Sequence, residues 1–71
     1  MLRVFYQDGV VDTHEDGTGL ATKPKEARKW AVALVTGVTA NNDIYKTEFW
    51  SIDENCVESC ETFFNRNVFK L

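Results

Sequence analysis

One proline, one histidine, two cysteines and four glycines are all that this chain of 71 residues holds of the types that punctuate, ligate or staple a fold. So little glycine and proline beside 44% hydrophobic residues excludes a low-complexity or fibrous polymer and predicts a packed core. The length allows one small domain, residues 1–71, and no second core. Long apolar runs are missing as well. The longest, Trp30 to Val35, is six residues, against the ~20 that span a bilayer. Met1 to Asp8 offers neither a basic stretch nor an apolar one of signal-peptide length, so the sequence predicts a cytoplasmic protein without a membrane anchor. Positive charge is in deficit: 8 basic against 11 acidic residues give a net charge of −3, the wrong sign for holding duplex DNA by phosphate neutralisation.

The scarcity of ligating and nucleophilic side chains limits the chemistry. His14 is the only histidine, so a Cys-His zinc site would need Cys56, Cys60, His14 and a carboxylate, without the short paired spacings of zinc ligands. Asp12, His14, Asp16 and Gly17 imitate the start of a calcium loop, but Lys23 stands where the bidentate glutamate is required. Ser51 and Ser59 lie outside any Gly-x-Ser-x-Gly elbow, and Gly17-Thr18-Gly19 lacks the remainder of either phosphate-binding fingerprint. No catalytic residue, metal or cofactor is therefore expected. Cys56 and Cys60, four residues apart on a predicted helix, suit a disulfide poorly and read as two buried thiols.

What is present divides into elements. Leu2 to Gln7 and Val10 to His14 flank Asp8-Gly9, a strong two-residue hairpin signal that would set Tyr6 opposite Val11 and Val4 opposite Thr13. That register puts Leu2, Val4, Tyr6, Val11 and Thr13 on the core face, with Phe5, Val10, Asp12 and His14 on the other. From Thr22 to Gly37, Ala27, Trp30, Ala31, Leu34 and Val35 form the stripe of an amphipathic helix, with Pro24 in its first turn. Ile44 to Ile52 reads as a strand. A second helix, capped at Asp53, would bury Cys56, Val57, Cys60, Phe63 and Phe64 and expose Glu54, Glu58 and Glu61. Val68 to Leu71 would form a short strand or pack down. The expectation is a two-layer α+β domain, ordered β-β-α-β-α, with a three-stranded antiparallel or mixed sheet, helices on one face, and the third strand beside the first.

Charge is the most informative pattern. Residues 1–22, 23–46 and 47–71 carry net −3, +3 and −3, so a basic helix lies between two acidic regions. Lys23, Lys25, Arg28 and Lys29 crowd the helix N-terminus, where cations oppose the dipole, and form a candidate basic patch. Asp53, Glu54, Glu58 and Glu61, with Asp12, Glu15 and Asp16, form a candidate acidic face for a basic partner surface. Phe5, Val10 and Trp30 are candidate hydrophobic interface residues, suited to a partner or to a second copy.

In size, acidity and compact α+β layout, and in no residue signature, the chain resembles the small accessory proteins of bacteriophages and mobile elements, anti-defence inhibitors and anti-CRISPR proteins among them. The resemblance implies action by occupying a surface of a larger host complex, one that handles nucleic acid included, rather than by turnover. A non-enzymatic protein-binding module is the leading expectation. The alternative is a small nucleic-acid-binding regulator using Lys23, Lys25, Arg28 and Lys29.

Overall fold

The computed structural model describes residues 1–68. Five elements make the fold: β1 (Leu2–Tyr6), β2 (Val11–His14), α1 (Pro24–Ala33), β3 (Ile44–Ile52) and β4 (Glu58–Phe64), with single 3₁₀ turns at Gly19–Ala21 and Gly37–Thr39. The strands form one sheet, order β2-β1-β3-β4, with every neighbouring pair antiparallel. Among the described residues this α+β fold has four strands and one α-helix where the sequence suggests three and two. The expected placement of the third strand beside the first, antiparallel to it, holds. The expected C-terminal strand reaches only Val68, in a turn, among the described residues; its other positions lie outside them.

The first hairpin forms one residue out of the expected register. Tyr6 N–H donates to the Val10 carbonyl at 2.9 Å and Gly9 N–H to the Tyr6 carbonyl at 3.1 Å, closing a three-residue loop with Gly9 at φ +94°. The pairs become Phe5 with Val11, Val4 with Asp12 and Leu2 with His14. A one-residue slip exchanges the faces of a strand, so Asp12 and His14 turn toward the helix and Val11 and Thr13 away from it. The carboxylate of Asp8 secures the loop by accepting Val10 N–H at 3.0 Å. His14 Nδ1 accepts Leu20 N–H at 3.3 Å. A Cβ on Gly19, itself at φ +49°, would come within 2.4 Å of that nitrogen, so the glycine makes room for the contact.

α1 is shorter than Thr22–Gly37 because its last carbonyls find donors outside the helix. Pro24 starts it at a position whose N–H would have no intrahelical partner. At the other end, the Ala33 carbonyl accepts the Thr39 hydroxyl at 2.7 Å and the Leu34 carbonyl accepts Asn41 N–H at 2.8 Å. Val35 N–H turns to Val32 at 3.2 Å, and the Ala31 carbonyl takes the hydroxyl of Thr47 at 2.6 Å. Thr47 is wholly buried, so this bond ties helix to sheet. Leu2, Val4, Ala21, Ala27, Ala31, Val35 and Ile44 form the core, with Tyr6, Leu20, Leu34, Phe49 and Phe63 packed around it. The two buried alanines let the helix lie close over β1 and β3. Trp30, expected in the helix stripe, is 44% exposed.

The predicted second helix is instead a turn and a strand. Asp53 does cap backbone amides, accepting Asn55 N–H at 2.8 Å and Val57 N–H at 2.9 Å, but these belong to a hairpin. Asp53 N–H bonds the Val57 carbonyl and Cys56 N–H the Asp53 carbonyl, repeating the loop of the first hairpin with Cys56 at φ +60° in place of a glycine. β4 then pairs along β3 from Ile52 with Glu58 to Lys46 with Phe64. Its threonine and two phenylalanines favour extended backbone, and alternation separates Glu58 from Glu61. The expected stripe of buried residues dissolves: Cys56, Val57, Cys60 and Phe64 are exposed, and both cysteines are free thiols rather than buried ones.

After β4 the chain is held by Asn65. Its Nδ2 donates to the carbonyls of Asn41 at 3.1 Å and Ile44 at 2.9 Å and to Asn42 Oδ1 at 3.3 Å, while its own carbonyl oxygen accepts Asn67 N–H at 3.0 Å. The side chain is fully buried, and its backbone N–H reaches Tyr45 at 2.8 Å.

Candidate functional site

Among the described residues the helix lies on one side of the sheet and no element covers the other. Pairing across the four strands sets Val11, Phe5, Lys46 and Phe64 in one row and Thr13, Arg3, Glu48 and Thr62 in the next. Trp50, Cys60, Ile52 and Glu58 continue the face toward the β3–β4 turn. A bulge in β3 opposite Phe5 and Tyr6 brings Tyr45 to the same side, its ring 6.2 Å from that of Phe5. Lys46 Nζ lies 4.4 Å from the centre of the Phe5 ring and 3.5 Å from Glu48. Trp50 Nε1 donates to Glu48 at 3.1 Å. Arg3 Nε is buried there without a hydrogen-bond partner among the described residues. Phe5, Tyr45 and Trp50 are half-buried by these neighbours, whereas Ile52 is 67% and Phe64 39% exposed.

The structure divides the expected acidic face. Glu15, Asp16 and Glu58, from separate parts of the sequence, gather with Met1, Trp50 and Ile52 around a depression of about 200 Å³ at one end of the open face. The Met1 amino group pairs with Asp16 and donates to the Trp50 carbonyl at 3.0 Å. Asp53 and Glu54 extend the acidic end at the hairpin tip, beside Val57, which is 59% exposed. Asp12 and Glu61 leave the group. Asp12 faces Tyr6, whose hydroxyl titrates above its ordinary value of 10.0 through burial first, then the charge of Asp12 and the hydrogen bond to it. Glu61 lies on the helix side and takes Arg28 at 3.2 Å from Nε to each oxygen and 2.9 Å from Nη2. That hydrogen bond, with the guanidinium charge adding and desolvation opposing, holds the Glu61 carboxyl below its ordinary 4.5.

The basic patch stays together in part. Lys25, Arg28 and Lys29 line one wall of a trough of about 670 Å³ between α1 and the sheet, with Pro24, Val32, Ala33 and Phe49 as its apolar surface. Lys23 stands just before the helix, at the cap position. A second depression sharing Thr36 continues the trough past Phe63 to Arg66. Phe63 lies under the Arg28 guanidinium at 5.6 Å. The sequence reading does not join Phe63 and Arg66 to these cations because it takes the β4 segment for a helix, and it does not join Phe49 because nothing in the sequence shows which strand lies beneath Lys25 and Lys29.

The hydrophobic trio does not form one surface. Phe5 lies on the open face, while Trp30 is exposed on the helix, beside a separate depression with Glu26 and Lys29. Val10, at the first turn, pairs with Tyr6 and so shares the helix-side alternation; Val11, expected on the core face, instead stands beside Phe5, in the place expected for Val10. Among the described residues no cluster of His, Cys, Asp or Glu suits a metal ion, and no helix is long and apolar enough to cross a membrane. No known protein family matches the chain, and no characterised sequence or solved structure is similar to it.

Proposed function

We propose that the chain is a non-catalytic protein-binding module that lays the open face of its sheet against a surface of a larger partner. The observation that carries this reading is that, among the described residues, no helix covers that face, which holds six aromatic or aliphatic side chains around a polar centre of Arg3 and Glu48. Phe5, Tyr45, Trp50, Phe64, Val11 and Ile52 give it aromatic and aliphatic anchors, and Glu15, Asp16 and Glu58 rim one end. Apolar patches with a polar rim are the usual form of a protein interface, and tryptophan and tyrosine are enriched among its dominant contacts. The carboxylates favour a partner whose contact edge is basic and speed its approach.

The test compares proteins captured from an extract of the producing cells by the wild type, Ile52→Lys, Glu15→Lys/Glu58→Lys and Lys25→Glu/Lys29→Glu. A captured protein lost with Ile52→Lys, weakened by the carboxylate reversals and kept by the lysine reversals supports the reading. Capture that ignores Ile52→Lys would overturn it. So would light scattering that finds a wild-type dimer dissolved by Ile52→Lys, which would assign the face to self-association.

A further inference from the structure

The trough on the helix side is a second concave surface, separated from the open face by the thickness of the sheet. We propose that it is a docking groove for an extended segment of a partner protein in which acidic and apolar residues alternate. Its volume of about 670 Å³ falls within the ~300–1,000 Å³ of ligand sites, and its lining follows the helix from Pro24 to Ala33 and on to Thr36. The 10-residue helix that walls it measures ~15 Å at ~1.5 Å per residue, a length that about five extended residues cover at ~3.3 Å each.

The spacing of the wall charges selects the pattern. Lys25 and Lys29 are four helical residues apart, ~6 Å along the axis. Alternate side chains of an extended chain repeat every ~6.6 Å and share one face. A segment lying along α1 therefore sets every second side chain against the lysines and directs the others toward Phe49, while Val32 and Ala33 continue the helix wall beyond Lys29. Glu61 already makes the first such contact from within the molecule, its carboxylate gripped by Arg28. Among the described residues Lys25 and Lys29 have no ion-pair partner, and Arg66 at the far end adds a further cation.

Nucleic acid fits less well. The Glu61 carboxylate already holds Arg28, the chain carries net −3, and the surface beside the cations is aliphatic as well as aromatic.

The experiment is fluorescence anisotropy with the intact chain and two labelled peptides of one composition, the first alternating glutamate with leucine, the second carrying its glutamates in one block and its leucines in another. The alternating peptide should bind, more tightly than the blocked one, and weaken between ~0.05 M and ~0.5 M salt. Lys25→Glu/Lys29→Glu should reduce its affinity about tenfold or more, and the milder Lys25→Gln/Lys29→Gln by a smaller factor in the same direction. Ile52→Lys, on the other side of the sheet, should leave it unchanged, which separates failure of this groove from failure of the open-face reading. No binding of the alternating peptide, equal binding of both peptides, or indifference to the lysine substitutions would overturn the proposal. A labelled oligothymidylate that bound more tightly than the alternating peptide would overturn it in favour of nucleic acid.

Discussion

Replacing Cys56 by glycine should stabilise this protein although it removes a side chain. The two hairpins share one three-residue loop design, in which the last loop residue takes positive φ: Gly9 at +94° in the first, Cys56 at +60° in the second. In that region Cβ crowds the following carbonyl, which costs a residue other than glycine about 1–2 kcal/mol. Glycine returns part of the gain through the greater freedom of its unfolded chain, about 0.5–1 kcal/mol. The net expectation is about 0.5–1 kcal/mol, because Cys56 is exposed and little packing is lost. For a domain this small that raises Tm by about 2–8 °C. Urea unfolding followed by far-ultraviolet circular dichroism gives the free energy, and an unchanged slope shows that the same surface unfolds. Cys56→Ala keeps the Cβ and discards the thiol, so it should move stability little. Gly9→Ala is the converse experiment: a Cβ there meets nothing within 4 Å, leaving only the backbone penalty, a loss of about 1 kcal/mol. A Cys56→Gly protein no more stable than wild type, or an alanine variant that gains as much, would refute the argument from φ.

Other substitutions probe the polar contacts inside the fold. Thr47→Val keeps the shape but strips the Ala31 carbonyl of its donor, and equilibrium unfolding should show a loss of about 1–2 kcal/mol. Asn65→Ala leaves the Asn41 and Ile44 carbonyls without their side-chain donor and should cost about 2–3 kcal/mol; Asn65→Asp should cost as much at pH 7 and recover in part on acidification, as the carboxylate regains a proton to donate. The lowered Glu61 pKa means that its contribution is present above the ordinary 4.5 and lost as pH falls through the lower folded value. Carbon-detected NMR should place the Glu61 midpoint below 4.5 and move it back upward in Arg28→Gln.

The readable parts of this sequence are those where local chemistry and tertiary context agree. Ala27, Ala31 and Val35 fall on the buried side of α1 and its continuation, as periodicity requires, and Ile44 to Ile52 carries residues that only a strand accommodates well. The first hairpin was legible as a hairpin but not in register. Asp8-Gly9 serves a two-residue loop and the last two positions of a three-residue loop equally, and one residue decides which face His14 occupies. Asp53 misled for a related reason. Its carboxylate caps free amides in either a helix or a turn, and the i, i+4 spacing of Glu54, Glu58 and Glu61 strengthened the wrong choice. Against it stood the run Ser59 to Phe64, poor in helix formers. Asn65 left no periodic signal, since its role depends on carbonyls more than twenty residues away.

The segment misread as a helix is the one that makes both candidate surfaces. As a helix it would have covered the sheet, with its glutamates in water and the Lys25 wall facing nothing. As β4 it widens the open face by Phe64, Thr62, Cys60 and Glu58 while sending Phe63 and Glu61 to the other side, where Arg28 of α1 reaches both. One short helix cannot close a sheet of four strands, so the region between α1 and β4 stays concave and gathers the cations of the helix. The same alternation explains why the acidic row splits, Glu58 joining Glu15 and Asp16 while Glu61 faces Arg28. A small net charge thus resolves into an acidic end on one side of the sheet and a basic trough on the other. Because the two lie on opposite faces, reversal of Glu58 and reversal of Lys29 should impair different binding events and combine additively when both are present.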